Sequence, residues 1–166
     1  TDDDLPPSVA FTSASQNGTE ANGVFTVTAL LSAVSGFDVT VPFVISGTAS
    51  DPADYTVTAS PLVIAAGSTT ASLSVAVIND SVDEPDETVV VAMGGPNNAT
   101  LGTRTVHTLT IGDNDLPPTV GLTSAVGAGD EAGGPLVVTV ALSGVSSFDV
   151  TVPFSLSGTA TGGADY

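Results

Sequence analysis

Cysteine and tryptophan are absent from this 166-residue sequence, and Arg104 is its only lysine or arginine. Without cysteine the chain has no disulfide, no thiolate metal site and no cysteine nucleophile. Nucleic-acid binding and attraction to anionic membranes both depend on clustered basic residues, which this chain lacks. With 18 Asp and Glu and a formal net charge of -17, the protein is expected to bind neither nucleic acid nor a membrane surface.

Signatures of catalysis and of membrane insertion are also missing. No apolar run reaches the length of about 18 residues that a membrane-spanning helix needs. The only histidine, His107, alternates with Leu109 and Ile111, which predicts a partly buried strand residue, not a metal ligand or catalytic base. Paired carboxylates can hydrolyse glycosides, but two tyrosines and no tryptophan leave little aromatic surface for a sugar. The sequence predicts that the protein is not an enzyme.

Short apolar segments that alternate with threonine and serine dominate the sequence. This period-2 pattern predicts β-strands, and turn residues such as Asn17-Gly18, Asn22-Gly23 and Ala66-Gly67 separate them. About seven short strands per hundred residues, with no helical period, are typical of an immunoglobulin-like Greek-key β-sandwich. A closed barrel is the alternative. We therefore predict an all-β protein.

An internal repeat divides the chain at an offset of about 111 residues. Residues 5–55 align with residues 116–166 without a gap, and roughly three fifths of the positions are identical. The motif FDVTVPF at residues 37–43 recurs at residues 148–154, and SGTA at residues 46–49 recurs at residues 157–160. The repeat is as long as a whole small sandwich domain.

The register of the repeat predicts the domain organisation. Residues 1–4 are interpreted as the end of a preceding repeat, residues 5–115 as one complete domain, and residues 116–166 as the first part of a second domain. Short Leu-Pro-Pro joints, stiffened by proline, begin both copies. Neighbouring repeats of the same protein are the first partners expected.

Unpaired strands are expected in the second, partial copy. Residues 137–142 and 150–156 read as strands without their partners, and an unpaired strand edge can recruit another chain. We therefore consider homotypic association or fibre formation, with the second copy completed either by its own chain or by a neighbour.

Acidic residues avoid the predicted strands and collect between them. Loops of a sandwich meet at one of its two ends, so several carboxylates should converge there and repel one another. Calcium would relieve the repulsion, because it takes six to eight oxygen ligands at flexible loop positions. Magnesium demands a tighter octahedron, and transition metals favour imidazole or thiolate. The acidic residues between strands are Glu20, Asp51, Asp54, Asp80, Asp83, Glu84, Asp86, Glu87, Asp113 and Asp115.

Four motifs in order resemble the Calx-beta domain, a family known from sodium/calcium exchangers and from arrays in extracellular adhesion proteins. They are an early Glu20, the GTA motif followed by Ala53-Asp54-Tyr55, the run VAVINDSVDEPDET at residues 75–88, and the ending LTIGDND at residues 109–115. The resemblance covers residues 5–115 and the available part of the second copy. It implies a seven-stranded immunoglobulin-like sandwich with Ca²⁺ at the end near the domain junction.

Carried over by position, the resemblance also implies a ligand set. Asn79 stands where the exchanger domains have the first of two aspartates, and Asn114 interrupts the terminal acidic triplet, which implies fewer ions or weaker binding. Asp83, Asp86 and Glu87 are weaker candidates, and Glu87 could instead anchor its strand. The implied metal ligands are Glu20, Asp54, Asp80, Glu84, Asp113 and Asp115.

Three functions follow as expectations. The leading one is a calcium-binding structural or adhesive module of a secreted or cell-surface protein or fibre, in which the ion stiffens the end of the domain near the inter-domain joint. The second is a metal-independent acidic spacer. The third is a calcium sensor that regulates an attached domain.

Overall fold

The computed structural model describes residues 5–124, 127–129 and 134–162. These residues form two compact units. The first contains the described residues up to Asp80 and Pro85–Asn114, and the second contains Ser81–Glu84 and the described residues from Asp115 onwards. The predicted preceding repeat (residues 1–4) and the repeated pair Asp165-Tyr166 lie outside the described residues.

The first unit is a β-sandwich built from strands β1 to β11, and this confirms the predicted all-β fold. One sheet has the order β10-β1-β3-β8-β6, the other β2-β11-β9-β5, and β4 pairs separately with β7. Strands that follow one another in sequence therefore lie in different sheets. The strands are β1 (Ser8–Phe11), β2 (Ser15–Thr19), β3 (Val24–Leu31), β4 (Val39–Val41), β5 (Phe43–Gly47), β6 (Tyr55–Val57), β7 (Leu62–Ile64), β8 (Thr70–Val77), β9 (Glu87–Met93), β10 (Thr100–Leu101) and β11 (Val106–Gly112).

One hydrophobic core lies between the two main sheets. Alternate residues of the strands supply it, as period-2 patterning requires, so that β9 and β11 bury every second side chain. Tyr55 belongs to this core, which confirms the predicted packed ring. The largest fully buried apolar side chains are Phe11, Ile64, Leu73 and Leu109.

Pro42 divides one alternating run, and one predicted turn was wrong. The alternating residues 39–45 form two strands, because Pro42 interrupts them; β4 pairs with β7 and β5 pairs with β9. Asn17-Gly18 is not a turn but part of β2, which pairs in parallel with β11. Gly18 is needed there because a Cβ atom would collide with the ring of Phe25.

The second unit contains one antiparallel pair in its described residues, β12 (Val120–Leu122) with β13 (Val140–Leu142). Val120 pairs with Leu142 as Val9 pairs with Leu31 in the first copy, so the repeat extends to strand register. The predicted strand at residues 137–142 is thus shorter than expected, and it has a partner. The predicted strand at residues 150–156 is wrong, since these residues are described and form none.

The reason for this difference lies in the pairing of the first copy. There β4 and β5 pair with β7 and β9, which come later in the chain. The described residues of the second copy include no counterpart of β7 or β9.

Among the described residues, no helix is long and apolar enough to cross a membrane.

Candidate functional site

A short 3₁₀ helix, Glu20–Asn22, places Glu20 between β2 and β3. The side chain of Asn22 closes the turn, because its Oδ1 accepts a hydrogen bond from the Thr19 backbone N–H at 2.7 Å. Gly23 ends it with a φ of 74°, a conformation that favours glycine. The turn leaves Glu20 only 8% exposed. A buried carboxylate needs compensation from hydrogen bonds or from a cation.

Glu20 and Asp80 meet at this end of the first unit. One carboxylate oxygen of each lies within 4.8 Å of the other. The antiparallel pairing of β3 with β8 brings both residues to the same end of these strands, because Glu20 precedes β3 and Asp80 follows β8. There the backbone N–H of Val77 in β8 donates to the Gly23 carbonyl at 2.6 Å. Two oxygens that bind one Ca²⁺ at about 2.3–2.6 Å can be no further apart than about 5 Å, so this pair fits a shared ion.

The end of β11 joins the same region of the first unit. Asn114 Oδ1 accepts a hydrogen bond from the backbone N–H of Ala21 at 3.2 Å, next to Glu20. Asp113 N donates to Asp86 Oδ1 at 3.4 Å. The turn after β2, the loop before β9 and the end of β11 are therefore linked by hydrogen bonds, as the loop-convergence prediction requires.

Asp54 and Glu87 form a second carboxylate pair in the first unit. Their nearest carboxylate oxygens also lie within 4.8 Å of one another, and both residues are half-buried. Asp54 is held in a tight turn, in which its Oδ2 accepts from the Ser50 backbone N–H at 2.6 Å and its N–H donates to the Ser50 carbonyl at 2.8 Å.

The SGTA motif positions Glu87, the first residue of β9. At the end of β5 the backbone N–H groups of Thr48 and Ala49 both donate to the carbonyl of Thr88, at 3.0 and 3.1 Å. Thr88 N donates in return to Thr48 Oγ1 at 2.9 Å. Gly47 is required at this approach, with a φ of 133°.

Acidic residues of this region also affect Tyr55. Burial raises the pKa of its phenol, and the negative charges of Asp51 and Asp54 raise that pKa further. Each effect disfavours the phenolate, the first by removing it from water and the others by repulsion.

The remaining predicted ligands, Glu84 and Asp115, belong to the second unit, and both are half-buried. Asp83 lies in the same unit and is nearly buried, 9% exposed. Its Oδ2 accepts a hydrogen bond from Ser146 Oγ at 2.7 Å. This carboxylate therefore contacts a hydroxyl group of the second copy.

His107 lies apart from these acidic residues, in the sandwich core. It is 1% exposed, more buried than the sequence predicted, and its ring meets that of Phe11 edge to face, with centroids 5.9 Å apart. His107 Nδ1 lies 2.9 Å from the Ser13 carbonyl, so this nitrogen carries the proton. Arg104 also contacts the backbone of β1, because its Nε donates to the Phe11 carbonyl at 2.9 Å.

Two features of the site escaped the sequence argument. Glu87 was a weaker ligand candidate that could instead anchor its strand, and its approach to Asp54 could not be read from spacing. The amide oxygen of Asn114 accepts a hydrogen bond from the backbone N–H of Ala21, a contact between residues far apart in the sequence. The repeated SGTA motif is the sequence signal that could have indicated the position of Glu87. Its glycine and threonine contact Thr88, the residue after Glu87.

Comparison with known proteins gives concordant results. The family model of the Calx-beta domain matches the chain twice, over residues 2–115 and 113–166. Comparison with curated proteins found no match.

Solved structures with the same fold include three from Calx proteins. CBD12 from CALX1.2 has 24% identity and a TM-score of 0.59, over 65% of this chain and 44% of that one. The apo-form Calx CBD1 domain has 23% identity and a TM-score of 0.60, over 67% of this chain and 100% of that one. The calcium binding domain CBD12 of CALX1.1 has 23% identity and a TM-score of 0.59, over 75% of this chain and 51% of that one.

The chain thus spans less than half the length of CBD12 from CALX1.2. At these identities the structural likeness establishes the fold alone. The two family matches cover nearly the whole sequence, and their boundaries fall where the internal repeat changes copy. The chain belongs to the Calx-beta domain family.

Proposed function

We propose that this chain is a calcium-binding structural module from an array of Calx-beta repeats, with residues 5–115 as one complete copy. The observation that carries the proposal is the close approach of carboxylates in the first unit. Glu20 meets Asp80 and Asp54 meets Glu87, each pair with oxygens within 4.8 Å. In a chain with a single lysine or arginine, a cation from solution is the available counter-charge.

Electrostatic repulsion supports a bound cation. Two like unit charges about 4 Å apart repel by roughly 4 kcal/mol at an effective dielectric constant of about 20. A domain is stable by only about 5–15 kcal/mol, so two such pairs are a substantial cost. A divalent cation bound between the two carboxylates of a pair attracts both of them and offsets their mutual repulsion.

Ligand chemistry favours calcium. Glu20, Asp80, Asp54 and Glu87 offer carboxylate oxygens from loops and strand ends, and Asp113 lies at the end of β11 beside Asp86. Such oxygen-only, irregular sites suit Ca²⁺ better than Mg²⁺, which keeps a strict octahedron and several waters. Among the similar structures, CBD12 of CALX1.1 is itself described as a calcium binding domain. Glu84 and Asp115 are proposed as further ligands from their positions in the family motifs.

The biological role we propose is structural and adhesive, in a secreted or cell-surface protein whose neighbouring repeats are its first partners. Calcium would stabilise the end of the first unit at which the chain leaves β11 for the next copy. Extracellular modules bind calcium with dissociation constants of about 10⁻⁴–10⁻³ M, which matches a site with reduced acidic content. The role requires no catalytic group, and His107, the one histidine, is committed to the core.

Thermal unfolding of the full chain tests this function. The scans would compare calcium, chelator, and magnesium or sodium at matched ionic strength. At free calcium about a hundred times the dissociation constant, mass action adds roughly 2.7 kcal/mol to the free energy of unfolding. A rise with calcium alone supports the site. An equal rise with every salt would instead identify an acidic spacer that responds to screening.

A further inference from the structure

The segment Ser81–Glu84 comes from the first repeat in sequence but packs in the second unit. Its backbone bonds to residues 145–148 of the second copy. Asp83 N donates to the Val145 carbonyl at 3.4 Å, and the Asp83 carbonyl accepts from Ser147 N at 2.9 Å. The two segments run parallel at this point and form an isolated β-bridge between Asp83 and Ser146.

Side chains complete the contact. Ser146 Oγ donates to Asp83 Oδ2 at 2.7 Å, and Ser147 Oγ donates to the Asp83 carbonyl at 3.2 Å. The Ser146 hydroxyl is oriented by its own turn, because it accepts from the Phe148 backbone N–H at 3.2 Å. Its proton is therefore directed to a carboxylate, which makes a stronger hydrogen bond than a neutral acceptor.

The first copy has the same turn, at residues 34–37. Val34, Ser35 and Phe37 are identical to Val145, Ser146 and Phe148 of the second copy, while Gly36 replaces Ser147. We call residues 34–37 and 145–148 the serine turns. Ser35 Oγ accepts from Phe37 N at 3.0 Å, as Ser146 Oγ does from Phe148 N.

The serine turn of the first copy exposes two apolar side chains beside Ser35, which is itself 7% exposed. Val34 is 61% exposed and Phe37 is 68% exposed. Its hydroxyl proton goes to the Phe37 carbonyl at 2.8 Å, a local acceptor that an incoming carboxylate could replace. Gly36 keeps the backbone N–H that Ser147 uses to bind the Asp83 carbonyl.

We propose that the serine turn is a docking surface of this domain, and that its partner is the Ser81–Glu84-type acidic segment of another copy. The turn at residues 145–148 receives this segment from the first repeat. The turn at residues 34–37 receives the corresponding segment of a different copy. Asp83 is thus a docking residue, although it lies within the acidic motif, and the described bonds that hold it are those to Val145, Ser146 and Ser147.

Amide hydrogen exchange measured by NMR on the full chain tests the first half of this inference. Ser146→Ala should speed exchange at the Ser147 amide by at least about tenfold and leave the β9 amides unchanged. Asp83→Ala should do the same, whereas Asp83→Asn, which keeps an oxygen acceptor, should retain most of the protection. Ser35→Ala is the matched control, since it removes the same hydroxyl from the first copy. Unchanged Ser147 exchange in Ser146→Ala and Asp83→Ala would overturn the docking role.

A synthetic peptide of residues 79–88 tests the second half. Added at millimolar concentration to the ¹⁵N-labelled full chain, it should shift the amide signals of residues 34–37. The same peptide with Asp83→Ala should not. No shift, or equal shifts with both peptides, would show that the first serine turn does not receive this segment. Ser147→Gly in the full chain gives the second serine turn the sequence of the first, and it should keep Asp83 docked. Faster amide exchange at residue 147 in this variant would show that the two serine turns are not equivalent.

Discussion

Gly47 packs directly against the backbone of Thr88, so closely that a Cβ atom at residue 47 would overlap the Thr88 carbonyl oxygen. The same carbonyl accepts hydrogen bonds from the two residues that follow Gly47. Since Glu87 immediately precedes Thr88, the glycine of the SGTA motif also fixes where this carboxylate begins its strand. This glycine therefore positions a member of the Asp54–Glu87 pair.

Replacing Gly47 with alanine should destabilise the first unit by about 2 kcal/mol or more, because it adds a steric clash to an unfavourable φ. Urea unfolding of the full chain measures the loss. Gly158→Ala is the matched control, because Gly158 occupies the same motif with a φ of 144° but has no neighbour within 4 Å. Equal losses in both variants would contradict the role assigned to the Thr88 contact.

Alkaline pH should destabilise the chain through Tyr55. Burial, followed by the charges of Asp51 and Asp54, raises the pKa of the Tyr55 phenol in the folded chain. The resulting stability is fully present below the unfolded pKa of about 10, and it is lost as the pH rises through the higher folded value. Urea unfolding at pH about 8 and about 11 should show a smaller alkaline loss for Tyr55→Phe than for the unmodified chain.

Tyr166→Phe provides the comparison for that experiment, since it removes the other tyrosine. A larger alkaline loss for Tyr166→Phe than for Tyr55→Phe would assign the effect to the buried phenol. If Tyr55→Phe loses as much stability between the two pH values as Tyr166→Phe, the buried phenol is not the group responsible.

Substituting His107 by leucine should cost about 1–3 kcal/mol of stability while leaving calcium affinity unaltered. Leucine fills much of the space beside Phe11, but it leaves the Ser13 carbonyl without the donor that His107 Nδ1 supplies. Thermal unfolding and calcium titration of the same variant separate the two effects. Weaker calcium binding at full stability would mean that the imidazole takes part in the metal site.

The sandwich could be predicted because its signals are local. Alternation along β3, β8 and β11 marks one buried face of each strand, and the repeat gives the length of a complete copy. Breaks in pairing were harder to predict. Residues 39–45 alternate without interruption, yet Pro42 lacks the N–H that a continuous ladder needs, so the chain passes from the β7 pairing to the β9 pairing there.

The carboxylate cluster could be predicted only in outline. Sequence position places acidic residues between strands, but it does not say which of them face one another. The pairing of Glu20 with Asp80 depends on the turn at Gly23, which lies against β8 through the Val77 hydrogen bond. The pairing of Asp54 with Glu87 depends on contacts of the SGTA motif across the sheet. Neither pairing depends on spacing along the chain, so a sequence pattern alone cannot predict which carboxylates meet.

Calcium titration by calorimetry on the full chain tests the central claim most directly. The unmodified chain should bind calcium with a dissociation constant below about 1 mM, and Glu20→Gln combined with Asp80→Asn should weaken binding by at least about tenfold. Asp38→Asn is the matched control, because Asp38 Oδ1 accepts from the Ala66 N–H and an asparagine can keep that bond; its affinity should not change. Binding that is absent, equal for magnesium, or weakened as much by Asp38→Asn would contradict a calcium site at Glu20 and Asp80.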